Sequence, residues 1–171
     1  MKHILLTLLA VMATLTVAAQ SNRFYIEDFE LDRDSVISVP VMLANETAMR
    51  GFQFDMSLPE GMALDDSDLT KYSKGFDMHL VCRALPAGGY IVFVFPRSAT
   101  CYPPATAAVV TLTFSASSDF KGGDVIISEC KGSTMDNKSF TLDGDTTRVT
   151  VPASSLIGIP MDQTQDKGIF Y

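Results

Sequence analysis

Residues 49–64 read MRGFQFDMSLPEGMAL. Within this stretch Phe52, Phe54, Met56 and Leu58 alternate with Gln53, Asp55 and Ser57, and Pro59-Glu60-Gly61 ends the run. A period of two sends successive side chains to opposite faces, so the segment predicts a strand with one apolar and one polar face. The same period recurs along the chain. Ile37, Val39, Val41 and Leu43 alternate with Val36, Ser38, Pro40 and Met42, and Val110, Leu112, Phe114 and Ala116 alternate with Thr111, Thr113 and Ser115. Pro40 implies an edge, a bulge or a position where no ladder donor is needed. The run YIVFVF at 90–95 is apolar throughout and reads as a central strand covered on both faces.

Turn residues punctuate these runs: LPEG at 58–61, PAGG at 86–89, KGG at 121–123 and DGD at 143–145. About nine strands are predicted, at 23–31, 35–44, 50–58, 61–64, 77–85, 90–96, 107–117, 124–131 and 139–152. No ten-residue stretch carries a helical stripe. Short strands with evenly spaced turns give the fold class as all-β, two antiparallel sheets packed face to face in a sandwich or jelly roll. Uneven strand lengths favour it over an up-and-down barrel.

The ends differ in character from this body. Met1-Lys2-His3 is a short basic start, Ile4 to Leu15 is almost wholly apolar, and Val17-Ala18-Ala19 supplies the small residues of a cleavage site. Residues 1–19 therefore read as a signal peptide, too short for a comfortable membrane span, and residues 20–153 as the exported domain. No cysteine near the cleavage point indicates a lipid anchor. Residues 154–171 have no period and read as a linker or extension. They end on Ile169-Phe170-Tyr171, either a short edge strand or the approach to a further element.

Charge and composition exclude some partners. The chain of 171 residues has a net charge of −7, and loss of Lys2 with the signal makes it more negative. Nothing here neutralises a run of phosphates or an anionic bilayer surface. The three cysteines, Cys82, Cys101 and Cys130, form no C-x-x-C, and their odd number leaves at least one thiol free or paired between chains. His79 is the one histidine beyond the signal segment and sits in a strand-like run, which reads as structural or surface. Asp65, Asp66 and Asp68 crowd what reads as a loop, either as a solvated patch or as a weak calcium site. LDGDTT at 142–147 lacks the later Glu of a calcium loop and reads as an Asp-Gly hairpin turn. No metal site and no cofactor are predicted. With no Trp in the chain, a flat aromatic platform for crystalline polysaccharide is not expected; Tyr72 and Tyr102, in loop-like sequence, are the candidates for a shallow glycan groove.

The ordered set FYIEDFEL (24–31), SVISVPVMLANE (35–46), MRGFQFDMSLPEGMAL (49–64), AAVVTLTFSAS (107–117) and GGDVIISE (122–129) resembles the cohesin-like modules of secreted bacterial proteins, relatives of the carbohydrate-binding-module jelly rolls. The third piece carries most of the likeness: a Gly, an alternating aromatic strand, then Leu-Pro-x-Gly and an apolar pair. The resemblance spans about residues 24–152. It implies a nine-stranded jelly roll with no catalytic centre, in a polysaccharide-utilisation or cell-surface setting. It also implies a sheet face, built from the third, fifth, sixth and eighth strands, that docks a protein such as a dockerin. On this sequence the partner-binding candidates are Gln53, Asp55 and Ser57, then His79 and Arg83, then Tyr90. The implied topology brings Cys101 and Cys130 to one end as a candidate disulfide, leaving Cys82 as a buried free thiol. The sequence departs from the family in the hydrophobicity of YIVFVFPRS and in the loop RSATCYPPATA (97–107), and no dockerin pattern follows. The leading function is a non-catalytic protein-interaction module; a glycan-binding module is the alternative, and a small hydrolase using unrecognised carboxylates a distant third.

Overall fold

The structure, a computed structural model, describes residues 22–153. The signal segment 1–19 and the extension 154–171 lie outside the described residues. In chain order the elements are β1 (Arg23–Tyr25), β2 (Phe29–Glu30), β3 (Val36–Asn45), β4 (Gly51–Ser57) and β5 (Met62–Leu69). There follow a one-turn helix α1 (Lys71–Lys74), β6 (Met78–Ala84), β7 (Tyr90–Pro96) and β8 (Ala105–Ala116). The last are β9 (Gly123–Ser133), β10 (Ser139–Thr141) and β11 (Asp145–Thr150). No helix among them is long and apolar enough to cross a membrane.

The strands form two sheets, one ordered β1-β3-β8-β5 and the other β2-β11-β9-β4-β7-β6, with β10 also paired to β9. All pairs are antiparallel except β2 with β11. This is the predicted sandwich. Its core is filled from both inner faces, by Val39, Val41, Leu112 and Phe114 on one sheet and Phe52, Phe54, Met56, Val92, Val94 and Ile127 on the other. Phe24 of β1 sits between them, its ring 4.8 Å from Phe52 and 5.2 Å from Phe54.

Eleven strands stand where nine were predicted, because two long runs are interrupted for identifiable reasons. The 23–31 run breaks between β1 and β2 as the chain passes from one sheet to the other; Asp28 in the gap accepts from the Arg148 N–H at 2.8 Å. The 139–152 run breaks opposite a bulge in β9. Glu129 has φ of 50°, and Gln53 faces Lys131 while Asp55 faces Ser128, so Phe54 opposes two residues. On the other side of β9, β10 pairs up to Thr141 with Lys131 and β11 resumes at Asp145 with Ile127. The DGD segment is therefore a kink between two strands that share one partner, not a hairpin turn. Gly144 is required there because a β-carbon would run into the Ile127 carbonyl. Pro40 behaves as expected: β1 pairs β3 at residues 42–44 alone, so the proline lies where β3 has β8 on one side and no strand on the other.

The helix α1 was not predicted. Thr70 caps it, its Oγ1 accepting from the Ser73 N–H at 3.4 Å and donating to the Ala108 carbonyl at 2.6 Å. The turn delivers Ser73, fully buried, to a polar chain under the 97–104 loop. The Tyr102 hydroxyl donates to Ser73 Oγ at 2.7 Å, and Ser73 Oγ donates to the Val109 carbonyl at 2.7 Å. Backbone bonds in both directions between Met49 and Tyr102 pin the same loop beside β4.

Burial pushes the Tyr102 hydroxyl up to about 12 from an ordinary 10.0, the Ser73 hydrogen bond opposing the shift. The unfolded chain loses that proton first, so stability falls as the pH rises from 10 to about 12. Tyr102→Phe should cost about 1–2 kcal/mol at neutral pH and flatten this alkaline slope. Urea denaturation at neutral and alkaline pH measures both, and an unchanged slope would contradict the assignment.

Candidate functional site

The inner residues of the larger sheet fix what its outer face presents. Because Phe52 pairs with Val94 and Phe54 with Val92, the alternate positions Gln53 and Asp55 face outward beside Phe93 and Ile91. The next strands continue these rows. Val81, Phe93, Gln53 and Lys131 lie across β6, β7, β4 and β9, and Arg83, Ile91, Asp55 and Ser128 form the row beside them. His79 pairs with Phe95 at one end, and Ser57 with Ile126 at the other.

The YIVFVF strand is thus covered on one face and bare on the other, against the sequence expectation. Val92 and Val94 are buried, whereas Phe93 is 40% exposed and Ile126 on β9 is 42% exposed. The alternation inside an all-apolar run cannot be read from hydropathy; its excess hydrophobicity was the available signal. His79, Phe95 and Phe93 form a line of rings, with centroids 5.1 Å and 5.3 Å apart. The Arg97 guanidinium donates to His79 Nδ1 at 2.9 Å. Since Arg only donates, Nδ1 is the acceptor in this contact. The result is an apolar strip, Val81–Ile91–Phe93–Phe95, edged by Arg83 and Arg97 on one flank and by Asp55, Gln53 and Lys131 on the other.

Of the sequence candidates, Gln53, Asp55, Ser57, His79 and Arg83 share this face. Tyr90 does not. It has the phase of Val92, pairs with Met56 and Ala84, and packs against the core. The sequence missed Val81, Ile91, Phe93, Phe95, Ile126 and Lys131.

The glycan candidates are corrected. Tyr102 is fully buried, because its loop is paired to Met49 and its hydroxyl is taken by Ser73. Tyr72, on α1, is half-buried against Tyr102 and Phe76, at centroid distances of 5.9 Å and 5.1 Å, and burial raises its hydroxyl above the ordinary range. Tyr102 offers no face to a sugar, and Tyr72 stacks one face on Tyr102.

The expected Cys101–Cys130 bridge is absent, and all three cysteines are free. The β9 bulge turns Cys130 into the core, its Sγ donating to the Ser128 carbonyl at 3.6 Å, while Cys101 stays half-buried in the loop after β7. Cys82 is half-buried on edge strand β6, less enclosed than expected. Asp65, Asp66 and Asp68 lie on strand β5 rather than in a loop. Asp66 and Asp68 oppose Thr113 and Thr111 on one side of the sheet, and Asp65 falls at a register shift between Leu64 and Asp66. Asp65 accepts from Ser115, and the Lys74 ammonium, 2.6 Å from Asp68, holds that carboxyl below its usual range. Among the described residues no group of three or more His, Cys, Asp or Glu side chains is placed to hold a metal.

The chain matches no protein-family model and no curated protein sequence. Its fold is similar to that of solved cohesin modules. A cohesin in a type I cohesin–dockerin complex from Clostridium thermocellum, OlpA with a dockerin, superimposes with a TM-score of 0.63 at 13% identity, covering 77% of this chain and 99% of that one. The cohesin module of a family 33 glycoside hydrolase from Clostridium perfringens gives 0.62 at 8% identity, over 78% and 99%. A non-cellulosomal cohesin from the archaeon Archaeoglobus fulgidus gives 0.59 at 13% identity, over 76% and 91%. The described residues thus form a cohesin-like β-sandwich.

Burial, chiefly, with nearby carboxylates adding, pushes the Cys130 thiol up to about 11, so it should resist alkylation at pH 8 while the protein is folded and react once denatured. Mass spectrometry of the unreduced protein checks this together with the absence of the bridge. A linked Cys101–Cys130 peptide would contradict the free-thiol arrangement.

Proposed function

We propose that this chain is an exported, non-catalytic interaction module that docks a partner protein on the outer face of β9-β4-β7-β6. The observation that carries this reading is the outward strip of Val81, Ile91, Phe93 and Phe95, of which Phe93 is exposed and the other three are half-buried. Water-exposed aromatic and branched side chains gathered on one sheet face gain free energy when a partner covers them, and a charged rim sets register and rejects wrong partners. The remaining polar outer positions of the sandwich, such as Ser38 hydrogen-bonded to Thr113 on the smaller sheet, offer no comparable strip.

The fold supports the same reading. One similar cohesin was solved in complex with a dockerin, and another belongs to a glycoside hydrolase. On that basis the setting we infer is polysaccharide utilisation or the cell surface, with residues 1–19 directing export. A partner helix laid along the strip fits its flat, apolar centre. The glycan reading loses Tyr102, which is fully buried, and keeps only the half-buried Tyr72. A catalytic site built on histidine would need His79, whose Nδ1 is held by Arg97 and whose ring packs on Phe95.

The immobilised module, incubated with the exported proteins of its source, should retain a defined protein. Phe93→Asp should weaken that retention at least about tenfold, while Ser38→Asp on the opposite sheet should not change it. Equal retention by both variants, or loss with Ser38→Asp alone, would place the surface elsewhere.

A further inference from the structure

At the β9 end of the strip the outer face is not flat. Gly51 occupies the outward phase of Gln53 and Asp55 but has no side chain, and it faces Ser133 across the ladder. A depression of about 410 Å³ opens here, with Gly51 in its lining. Phe93 and Phe95 wall it on one side and Lys131 and Ser133 on the other, with Arg50 and Ser139 at the rim. The glycine is not replaceable at low cost, because a β-carbon there would come within 2.7 Å of the Val94 carbonyl.

The chemistry of this depression is asymmetric. Phe93 and Phe95 supply aromatic rings on one side, the lining contains two cations, and it contains no carboxylate. The Arg50 guanidinium donates to Asn137 Oδ1 at 3.1 Å, which fixes one of its N–H groups and leaves the rest of the fork available. Neither Arg50 nor Lys131 belongs to either of the two ion pairs formed among the described residues. In a chain of net charge −7, this is a local cationic spot beside the rings of Phe93 and Phe95.

We infer that the depression at Gly51 receives an aromatic side chain of the partner protein, with an adjacent partner carboxylate met by Lys131 and Arg50. The inference rests on the docking role of the same face and specifies what the partner presents there. The volume accommodates one phenyl ring, which would lie against Phe93 and Phe95 in the tilted or edge-on contacts that such rings prefer. A carboxylate one residue away falls within reach of the Lys131 ammonium and takes charge-assisted hydrogen bonds from the free guanidinium N–H groups. An aromatic ring in a pocket with a charge beside it is the usual form of an interface anchor.

Three small probes test this without the natural partner: the capped dipeptides acetyl-Glu-Phe-amide, acetyl-Lys-Phe-amide and acetyl-Glu-Ala-amide, each titrated into the isotope-labelled protein and followed by NMR amide shifts. The Glu-Phe probe should shift the amides of Gly51, Phe95, Gly132 and Ser133 saturably. The other two should bind at least about fivefold more weakly, one lacking the charge match and the other the ring. The double variant Arg50→Glu, Lys131→Glu changes rim side chains, so its remaining spectrum should be unaltered. It should reverse the order of the Glu-Phe and Lys-Phe probes. Shifts spread over other faces, equal response to all probes, or an order the double variant leaves unchanged would overturn the inference. So would concentration-dependent shifts of the same amides with no probe, which would assign the depression to a second copy of the chain. The docking role of the face fails separately, through a natural partner retained equally by Phe93→Asp.

Discussion

The register of β4 is the constraint on which the rest of this structure depends. Phe52, Phe54 and Met56 are each 2% exposed or less, and the first two pack together against the Phe24 ring. Slipping β4 by one residue would bring Gln53 and Asp55 into the core and send three large side chains into water. That register is then imposed on β4's neighbours through the ladder. Val92 and Val94 of β7 must face inward because they oppose Phe54 and Phe52. Ile91, Phe93 and Phe95 are left facing out, and no other described element covers them. The candidate surface is thus a consequence of how the core is filled.

Around this strand the sandwich is closed by contacts between residues distant in sequence. The 97–104 loop returns to pair Tyr102 with Met49, and the buried chain from Tyr102 through Ser73 to the Val109 carbonyl ties the larger sheet's loop to the smaller sheet's β8. A polar chain of this kind, with each member bonded, adds rigidity rather than a binding site. It also makes the strip a firm platform: β7 is paired along its length to β4 and β6, and the loop that follows it is anchored in the core. A preorganised surface of this sort loses little conformational freedom when a partner docks.

These distinctions explain how much was legible in the sequence. Strands β4 and β8 announce themselves, because one face is buried and the other wet, and period two records that difference directly. The phase of Gln53, Asp55 and Ser57 followed, and with it half of the candidate face. Strand β7 did not disclose its phase, since both of its faces are apolar and nothing local separates the buried from the bare. Tyr102 looked like a surface loop residue between Cys101 and two prolines. Its burial comes from pairing with Met49, more than fifty positions earlier. The β9 bulge at Glu129 is equally silent in sequence, and it alone decides that the last run divides into β10 and β11 and that Cys130 turns inward, away from the bridge expected of it. Likeness to the cohesin modules in fold persists at 13% identity or less in the three comparisons described. What is shared is therefore the fold.

The central claim is that the apolar strip is open in the free protein and covered in the complex. Hydroxyl-radical footprinting, read by mass spectrometry residue by residue, addresses it most directly. In the free chain Phe93 and Ile126 should be oxidised readily while Phe54 and Phe114 are not. With the retained partner bound, protection should concentrate on Phe93, Phe95, Ile91 and Val81. Protection centred instead on Val36 and the outer face of the smaller sheet, with Phe93 oxidised as fast as in the free chain, would contradict the account.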